Sequence, residues 1–308
     1  MPRVSVIIPT HNRPARLPQA AASAGAAGHD VEIIVVDDAS TDETAEVCQT
    51  LAGIRYVRIE RNQGVAGARN VGIFESTAPY IAFLDDDDLR LPGSLDLQAD
   101  ALDQNSDAGF VCGAMIMADQ NHQPTGEIIR PRHAGGDAFW ELLELDFPVM
   151  PLSALIRKEC LLRVGLLNRQ VTTIDDWDIF TRIAEIHPVL TMQEPVGSYR
   201  RPTPDSAQGS SARASQLRLA ARHQRRLFLL PRAAALTWKQ RGAIRRRTID
   251  RVCETLAWST VNEHLPARRL RAALENIGAA LALDPAFALR AGFRHKTAQK
   301  LRREFRSA

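Results

Sequence analysis

Four consecutive aspartates, residues 85–88, come directly after the apolar run 80–84, whose length suits a buried strand. At an effective dielectric near 20, neighbouring carboxylates repel by roughly 3 kcal/mol per pair, so a plain polar turn would hardly need four of them. Mg²⁺ and Mn²⁺ prefer carboxylate oxygens and often use only one or two, leaving other positions to water and phosphates. The run therefore predicts a divalent-cation site; a solvated acidic turn is the alternative.

Two other predicted strands end in polar residues. The strand at 4–8 runs into Pro9, Thr10, Asn12 and Arg13, and the strand at 31–36 ends at Asp37 and Asp38. The carboxyl ends of parallel strands meet at one edge of a sheet, where open α/β folds bind ligands. We expect these side chains to converge with the aspartate run.

A second acidic group lies at residues 175–178, where Asp175, Asp176 and Asp178 surround Trp177 at the start of a predicted helix. Acids stabilise the positive end of the helix dipole, but capping accounts for only one or two of the three. A tryptophan ring can stack on a sugar ring. The pattern favours a functional site over capping alone.

Arg200 and Arg201 open a segment, 199–211, that is rich in Pro, Ser and Gly. The segment is interpreted either as a plain linker or as a lid. In a lid, the two arginines would suit a diphosphate, because guanidinium groups bind phosphate oxygens in pairs.

The elements that must position these residues alternate between strand and helix in the first 200 residues, which predicts an α/β fold with a mostly parallel sheet flanked by helices. Ser40 and Glu43 fit a capping box and predict a helix start at residue 40. Gly64 and Gly67 lie at the start of another predicted helix, which carries Arg69; they either let the backbone approach a ligand or serve close packing.

The net charge of +3 is unevenly distributed. Residues 1–212 hold 17 Lys and Arg against 30 Asp and Glu, whereas residues 213–308 hold 22 against 6. The basic part has helical periodicity at 216–230, 239–264, 268–283 and 290–306, and predicts an all-α C-terminal domain. Its positive charge is compatible with three roles: binding to an anionic membrane surface, packing or homo-oligomerisation, and nucleic-acid binding. Membrane binding is the preferred interpretation, and nucleic-acid binding is not expected.

No apolar run approaches the roughly 20 residues that cross a bilayer, and the N-terminus lacks the pattern of a signal peptide. We therefore expect a cytoplasmic protein, placed on the inner face of the membrane if its basic domain binds lipid. The four cysteines are far apart in sequence and have no zinc spacing, so they are expected to be reduced core residues.

Five segments in one order resemble glycosyltransferase family 2, the inverting nucleotide-sugar transferases with the GT-A fold. They are residues 4–13, 35–42, 64–70, 83–88 and 175–178, and the resemblance covers about residues 3–200. It implies a GT-A domain at 1–205, with a nucleotide half at about 1–106 and an acceptor half at about 107–205, followed by the basic helical domain at 206–308.

The resemblance also implies residue roles. Asp85 and Asp87 would occupy the two metal-binding positions, with a register that four aspartates leave open by one residue, and Asp176 would be the general base beside Asp175. Trp177 would contact the acceptor. The resemblance and the strand-end argument, which adds Asn12 and Asp38, together predict a set of nucleotide-binding residues. They are Pro9, Thr10, Asn12, Arg13, Asp37, Asp38, Arg69 and Asp86.

These roles imply an enzyme that uses Mn²⁺ or Mg²⁺ to transfer one sugar from a nucleotide sugar, of the UDP type, to a cell-surface glycan or its lipid-linked precursor. The sequence has no Gln-x-x-Arg-Trp motif, which processive members of the family carry. The alternative is an inactive homologue that binds sugar nucleotides or acts as a membrane-associated scaffold.

Overall fold

The computed structural model describes residues 1–171, 173–201 and 213–287. The chain divides into two units, the first comprising Met1–Leu142 and Phe147–Arg201 and the second Leu143–Asp146 and Pro202–Ala308. The predicted domain boundary at residue 205 and the predicted helix at 290–306 lie outside the described residues.

The described part of the first unit carries the strands and seven α-helices, together with a 3-10 turn at Pro151–Ser153. The strands are β1 (Val4–Thr10), β2 (Val31–Asp37), β3 (Ile54–Arg58), β4 (Tyr80–Phe83), β5 (Leu89–Arg90), β6 (Phe110–Ala118), β7 (Pro124–Ile129), β8 (Ala154–Arg157) and β9 (Val189–Arg200). The helices are α1 (Leu17–Ala26), α2 (Thr44–Thr50), α3 (Gly64–Glu75), α4 (Ser94–Asp103), α5 (Phe139–Leu143), whose last residue belongs to the second unit, α6 (Lys158–Val164) and α7 (Asp175–Ala184).

The strands form one sheet in the order β3-β2-β1-β4-β8-β6-β9-β5, with β7 paired to β6. The first four strands are parallel, as the alternation of strand and helix requires. The second half is mixed, because β8 runs antiparallel to both β4 and β6 while β6 and β9 are parallel. The parallel half brings the ends of β1 to β4 to one edge.

The central strand β1 is buried along its whole length. Successive side chains of a strand point to opposite faces, so Val4, Val6 and Ile8 join the core that α1 and α4 cover. Ile7 points to the other face, towards α3. A Cβ added at Gly72 of α3 would lie 2.3 Å from Cγ2 of Ile7, so only glycine permits this approach.

The helix after β2 begins later than predicted. Helix α2 starts at Thr44, and the predicted capping box of Ser40 and Glu43 does not form. Instead, the Ser40 hydroxyl accepts a hydrogen bond from the backbone N–H of Asn12 (2.9 Å), and Asp42 accepts from the backbone N–H of Thr44 (3.1 Å). Ser40 therefore stabilises the loop after β1, a long-range contact that the local pattern does not reveal.

The second unit is helical where it is described: α8 (Arg213–Leu227), α9 (Pro231–Ala234), α10 (Trp238–Ser259), a π turn at Thr260–His264 and α11 (Leu270–Leu283). A capping box of Thr237 and Gln240 fixes the start of α10. Ala279 and Ala280 of α11 join the buried cluster of this unit with Val252, Cys253 and Leu256. Among the described residues, no helix has both the length and the hydropathy that crossing a bilayer requires.

Candidate functional site

The predicted site edge forms at the ends of three parallel strands, where Thr10, Asp37 and Arg58 lie in one register. Asp37 is fully buried and accepts hydrogen bonds from the Tyr56 hydroxyl (2.6 Å), Arg58 Nη1 (2.7 Å) and the Ser40 N–H (2.8 Å). Burial alone would raise the pKa of Asp37, but these hydrogen bonds and the Arg58 charge lower it overall. Asp37 is therefore a fixed carboxylate.

Asp38, the next residue, holds the start of α3. Its two carboxylate oxygens accept the backbone N–H groups of Gln63 (2.7 Å) and Gly64 (2.8 Å). Gly64 has φ +75°, which favours glycine over any other residue. Asn12 also holds a loop in place, because its side-chain oxygen accepts a hydrogen bond from the backbone N–H of Thr41 (2.8 Å). These contacts position loops, and nucleotide binding by Asp38 and Asn12 stays a prediction.

The aspartate run, residues 85–88, alternates between inward and outward side chains. Asp85 and Asp87 expose 24% and 22% of their side chains, and Asp86 exposes 5%. Asp88 is also buried and accepts the backbone N–H of Arg200 (2.8 Å). The two accessible carboxylates are therefore those at the positions predicted for a metal.

Asp86 points into the end of β1. Its carboxylate accepts the Thr10 hydroxyl (2.8 Å) and Arg13 Nη1 (3.1 Å). Burial raises the pKa of Asp86 to about 6, against the opposing Arg13 charge and Thr10 hydrogen bond. Burial likewise raises the pKa of Asp88 well above its ordinary value. Pro9 is buried within β1, beside these groups in sequence.

Arg69 joins the two acidic groups that the sequence singled out. Its guanidinium donates to Asp85 Oδ1 (2.6 Å) and to Asp175 Oδ2 (3.3 Å). Asp175 lies 106 residues after Arg69 in the sequence. The side chain is buried and lies over the Phe83 ring. Because one guanidinium contacts both carboxylates, the aspartate run and the start of α7 belong to one site.

The two acids at the start of α7 differ in environment. Asp175 is buried against Arg69, whereas Asp176 is half-buried and accepts the N–H of Trp177 (2.8 Å). Burial and then the Asp175 charge raise the pKa of Asp176 to about 7. A carboxylate of this kind can take up a proton near neutral pH, which is what a general base requires. Asp175 instead orients Arg69.

Trp177 does not present its ring to the site surface. The side chain is buried, and its indole N–H donates to the backbone oxygen of Leu142 (2.6 Å). It packs the start of α7 into the interior. The predicted acceptor contact of Trp177 gains no support from this placement.

The two predicted lid arginines have separate partners. Arg200 ends β9, and its guanidinium donates to the backbone oxygen of Asp87 (Nε, 3.1 Å) and to the Asp87 carboxylate. Arg201 is exposed and pairs with Glu127 (2.8 Å). The structure thus brings Arg200, but not Arg201, to the aspartate run. The rest of the predicted lid, residues 202–211, lies outside the described residues.

Comparison with known proteins identifies the family of this chain. The family described as "Glycosyl transferase family 2" matches residues 5–157, about half of the chain, including the aspartate run. The chain belongs to glycosyltransferase family 2. This confirms the resemblance found in the sequence.

Curated relatives of this family 2 chain include three bacterial glycosyltransferases. An uncharacterized glycosyltransferase of Haemophilus influenzae is 28% identical over 185 residues, 59% of this chain and 62% of the relative. One of Rickettsia conorii is 37% identical over 156 residues, which are 48% of this chain and 25% of the relative. The Campylobacter jejuni GalNAc(5)-diNAcBac-PP-undecaprenol beta-1,3-glucosyltransferase is 41% identical over 101 residues, covering 31% and 33%. The chain spans less than two thirds of each relative.

Solved structures of S. aureus TarS share the fold. TarS 1-349 superimposes with a TM-score of 0.57 at 15% identity over 93% of this chain and 91% of TarS 1-349. TarS 1-349 in complex with UDP-GlcNAc superimposes with a TM-score of 0.57 at 14% identity, over 93% of this chain and 92% of that structure. The family 2 chain therefore has the predicted α/β GT-A fold with a helical C-terminal region.

Sequence reasoning missed three residues in or beside this candidate site. Arg58 and Tyr56 hold Asp37, and the end of β3 could have revealed Arg58 by the same strand-end argument that selected Asp37. Arg90, between two leucines, is fully buried and donates to Gln98 (2.9 Å) and the backbone oxygen of Ala154 (2.9 Å). Burial lowers the pKa of Arg90 to about 9, and the nearby Asp88 charge opposes this.

The donor set at the aspartate run fits a divalent cation. Among the described residues, no group of three or more His, Cys, Asp or Glu side chains is placed to hold a metal ion. Asp85 and Asp87 nevertheless supply two accessible hard oxygen ligands, which suffices for Mg²⁺ or Mn²⁺ when water and phosphate complete the shell. Arg69 contacts Asp85 through Oδ1, and Arg13 and Arg200 contact Asp87 through Oδ2.

Proposed function

We propose that the protein transfers one sugar from a UDP-sugar to a hydroxyl group, with inversion at the anomeric carbon and with a divalent cation bound to Asp85 and Asp87. The observation that carries this proposal is the Arg69 bridge between Asp85 and Asp175. This contact supports the proposal because it joins one proposed cation ligand, Asp85, to the start of α7, where burial raises the pKa of Asp176. Family membership makes sugar transfer the reaction class.

The donor is proposed from the fold neighbour and the site chemistry together. S. aureus TarS has been solved in complex with UDP and with UDP-GlcNAc. In this chain, Arg13 and Arg200 beside the aspartate run can bind diphosphate oxygens once the acids hold a cation. Asp37 and Thr10, fixed at the strand ends, would contact the nucleoside.

Charge determines the proposed chemistry. A bound divalent cation acts as a Lewis acid that stabilises the negative charge growing on the leaving diphosphate. Arg13 and Arg200 add positive charge at the same phosphates, in a partly water-excluded site. Asp176 removes the proton from the acceptor hydroxyl as that oxygen attacks the anomeric carbon, a step that general bases accelerate by about 10²–10⁴-fold. Asp175 holds Arg69 in place.

Inversion follows if Asp176 acts as a base and no side chain attacks the sugar. One displacement by the acceptor oxygen then forms the new bond while the bond to the diphosphate breaks. A retaining reaction through a covalent intermediate would need a nucleophilic carboxylate against the anomeric carbon. Transfer of a single sugar is proposed because the sequence has no Gln-x-x-Arg-Trp motif.

The acceptor is proposed to be a glycan or lipid-linked precursor at an anionic membrane surface. The Campylobacter jejuni relative carries an undecaprenol-linked substrate in its name. Residues 213–287 contain 15 Lys and Arg but only 5 Asp and Glu. On α11, the outward side chains Leu270, Leu274, Ile277 and Leu281 are 39–69% exposed and form an apolar stripe beside Arg271. Basic residues with an apolar helix face suit a lipid interface.

Release of UDP tests this function. The full chain is incubated with Mn²⁺ and UDP-GlcNAc, UDP-glucose or UDP-galactose, and slow UDP release is followed for the wild type and for Asp87→Ala, Asp176→Asn and Asp100→Asn. Asp100 is exposed and pairs with Arg3, so it serves as the control. We expect release by the wild type and the control, and a loss of about 10²–10⁴-fold in Asp176→Asn.

Release that persists in both Asp87→Ala and Asp176→Asn would contradict the residue roles. A wild type that binds these nucleotides but releases no UDP from any of them would favour the alternative, an inactive sugar-nucleotide-binding homologue.

A further inference from the structure

We propose that Arg200 occupies the cation position of Asp87 while no nucleotide is bound, and that it moves to the donor diphosphate when the cation arrives. Cation and nucleotide would then bind cooperatively through this one side chain. This inference rests on the proposed function and assigns Arg200 a coupling role that the function alone does not require.

The contacts of Arg200 are the first step. Its guanidinium donates to the Asp87 carboxylate through Nη2, to the Asp87 backbone oxygen through Nε (3.1 Å), and to Gln120 through Nη1. The same Asp87 oxygen, Oδ2, accepts Arg13 Nη1 at 3.3 Å. The Arg200 side chain is only 11% exposed. Arg200 is therefore held on one of the two accessible aspartates and competes with any ion there.

Charge balance is the second step. The guanidiniums of Arg13 and Arg200 both contact the Asp87 carboxylate, and that of Arg69 contacts Asp85. Positive charge thus already lies against both proposed cation ligands. A divalent cation added alone brings excess positive charge to a partly buried site, which is unfavourable. A nucleoside diphosphate supplies the negative charge that the freed arginines and the cation both need.

The third step is that Arg200 can move without unfolding β9. Its backbone N–H donates to Asp88 Oδ1 (2.8 Å), a contact separate from those of the guanidinium. The side chain can therefore rotate about its own bonds while the strand end remains fastened to the run. The movement exchanges one anionic partner, the Asp87 carboxylate, for another, the diphosphate.

Arg201 provides a matched control. It is the neighbouring arginine, its backbone N–H donates to the Ala118 oxygen (2.9 Å), and its guanidinium pairs with the exposed Glu127. Arg201→Gln removes the same charge from the next residue without touching the aspartate run. A difference between Arg200→Gln and Arg201→Gln therefore reports the contact with Asp87 and not the net charge.

The test is a titration of the full chain with Mn²⁺, followed by the EPR signal of free Mn²⁺, with and without UDP. Without UDP, we expect Arg200→Gln to bind Mn²⁺ about five- to tenfold more tightly than the wild type, within the usual range of coupling between sites, and Arg201→Gln to match the wild type. UDP should raise the Mn²⁺ affinity of the wild type more than that of Arg200→Gln. Arg200→Lys, titrated in parallel, should lie between.

Two results are distinguished. If the wild type binds Mn²⁺ more tightly with UDP but Arg200→Gln and Arg200→Lys behave like Arg201→Gln, this inference is wrong and the proposed function stands. If the wild type binds no Mn²⁺ with or without UDP, the metal-dependent function is wrong and the inference fails with it.

Discussion

At the scale of single residues, the site separates acids that are similar in sequence. Asp85 and Asp87 remain accessible while Asp86 turns inward onto Thr10, and Asp175 is buried on Arg69 while Asp176 is half-buried. Neighbouring carboxylates with different environments can hold different protonation states at one pH. The proposed division between cation ligands, a positioning acid and a base follows from these environments.

The raised pKa of Asp176 predicts a trade-off between stability and activity. Its pKa of about 7 in the folded protein exceeds the ordinary value near 4, so the folded state binds the proton more tightly. The associated stability is present below about pH 4 and is lost as the pH rises towards 7. We expect the free energy of unfolding of Asp176→Asn, measured in urea at pH 8, to exceed that of the wild type by about 1–2 kcal/mol. At pH 5 the difference should be smaller.

Asp178→Asn is the control, on the same turn of α7. Asp178 is buried and pairs with Arg182 at 2.6 Å, so its loss should lower stability at both pH values. If Asp176→Asn destabilises the protein at pH 8 as Asp178→Asn does, Asp176 is a structural acid and not a strained base.

At the scale of elements, sequence reasoning located the strands whose ends form the site, because each is a buried apolar run that stops at polar residues. It did not find the Arg200 contact with Asp87, since residues 113 positions apart leave no local pattern. It also misplaced the start of α2, because Ser40 bonds to Asn12 on a different loop. Local signals identified elements; contacts between distant loops needed the fold.

The packing of α3 on β1 gives an element-scale prediction. Gly72→Ala adds a methyl group that meets Ile7 on the central strand, so we expect destabilisation of about 1–3 kcal/mol in urea unfolding, together with weaker UDP binding because α3 carries Arg69. Gly278→Ala on α11 is the control, because a Cβ there meets no atom within 4 Å. Removing helix glycine should stabilise by about 0.5–1 kcal/mol. Equal effects of the two variants would refute the proposed close approach.

At the scale of the whole molecule, acidic and basic residues separate along the chain. The acidic first unit carries the proposed site, and the helical part carries excess arginine. The residues named for the proposed site all belong to the first unit. The sequence favoured an anionic membrane surface for the second unit over packing or homo-oligomerisation, and nucleic acid was not expected.

Vesicle flotation tests the proposed membrane surface. We expect the full chain to float with phosphatidylcholine vesicles that contain phosphatidylglycerol, and much less with phosphatidylcholine alone, because the helical unit is basic. Leu274→Gln with Ile277→Gln should reduce flotation several-fold by removing apolar area from the α11 stripe. Leu97→Gln, an exposed leucine of α4, is the control. Equal flotation with the two vesicle types would contradict the proposal. So would equal flotation of the Leu274→Gln, Ile277→Gln double variant and the Leu97→Gln control.

The most direct test of the central claim measures binding and turnover in the same variants. UDP is titrated calorimetrically into wild-type protein, Asp87→Ala and Asp176→Asn in the presence and absence of Mn²⁺. If the aspartate run binds the cation and diphosphate while Asp176 only removes the acceptor proton, Asp176→Asn keeps wild-type UDP affinity with Mn²⁺, although its release of UDP from donors falls by about 10²–10⁴-fold. Asp87→Ala should lose about tenfold or more of the Mn²⁺-dependent affinity. UDP binding that is lost equally in both variants, or unaffected in Asp87→Ala, would contradict the account.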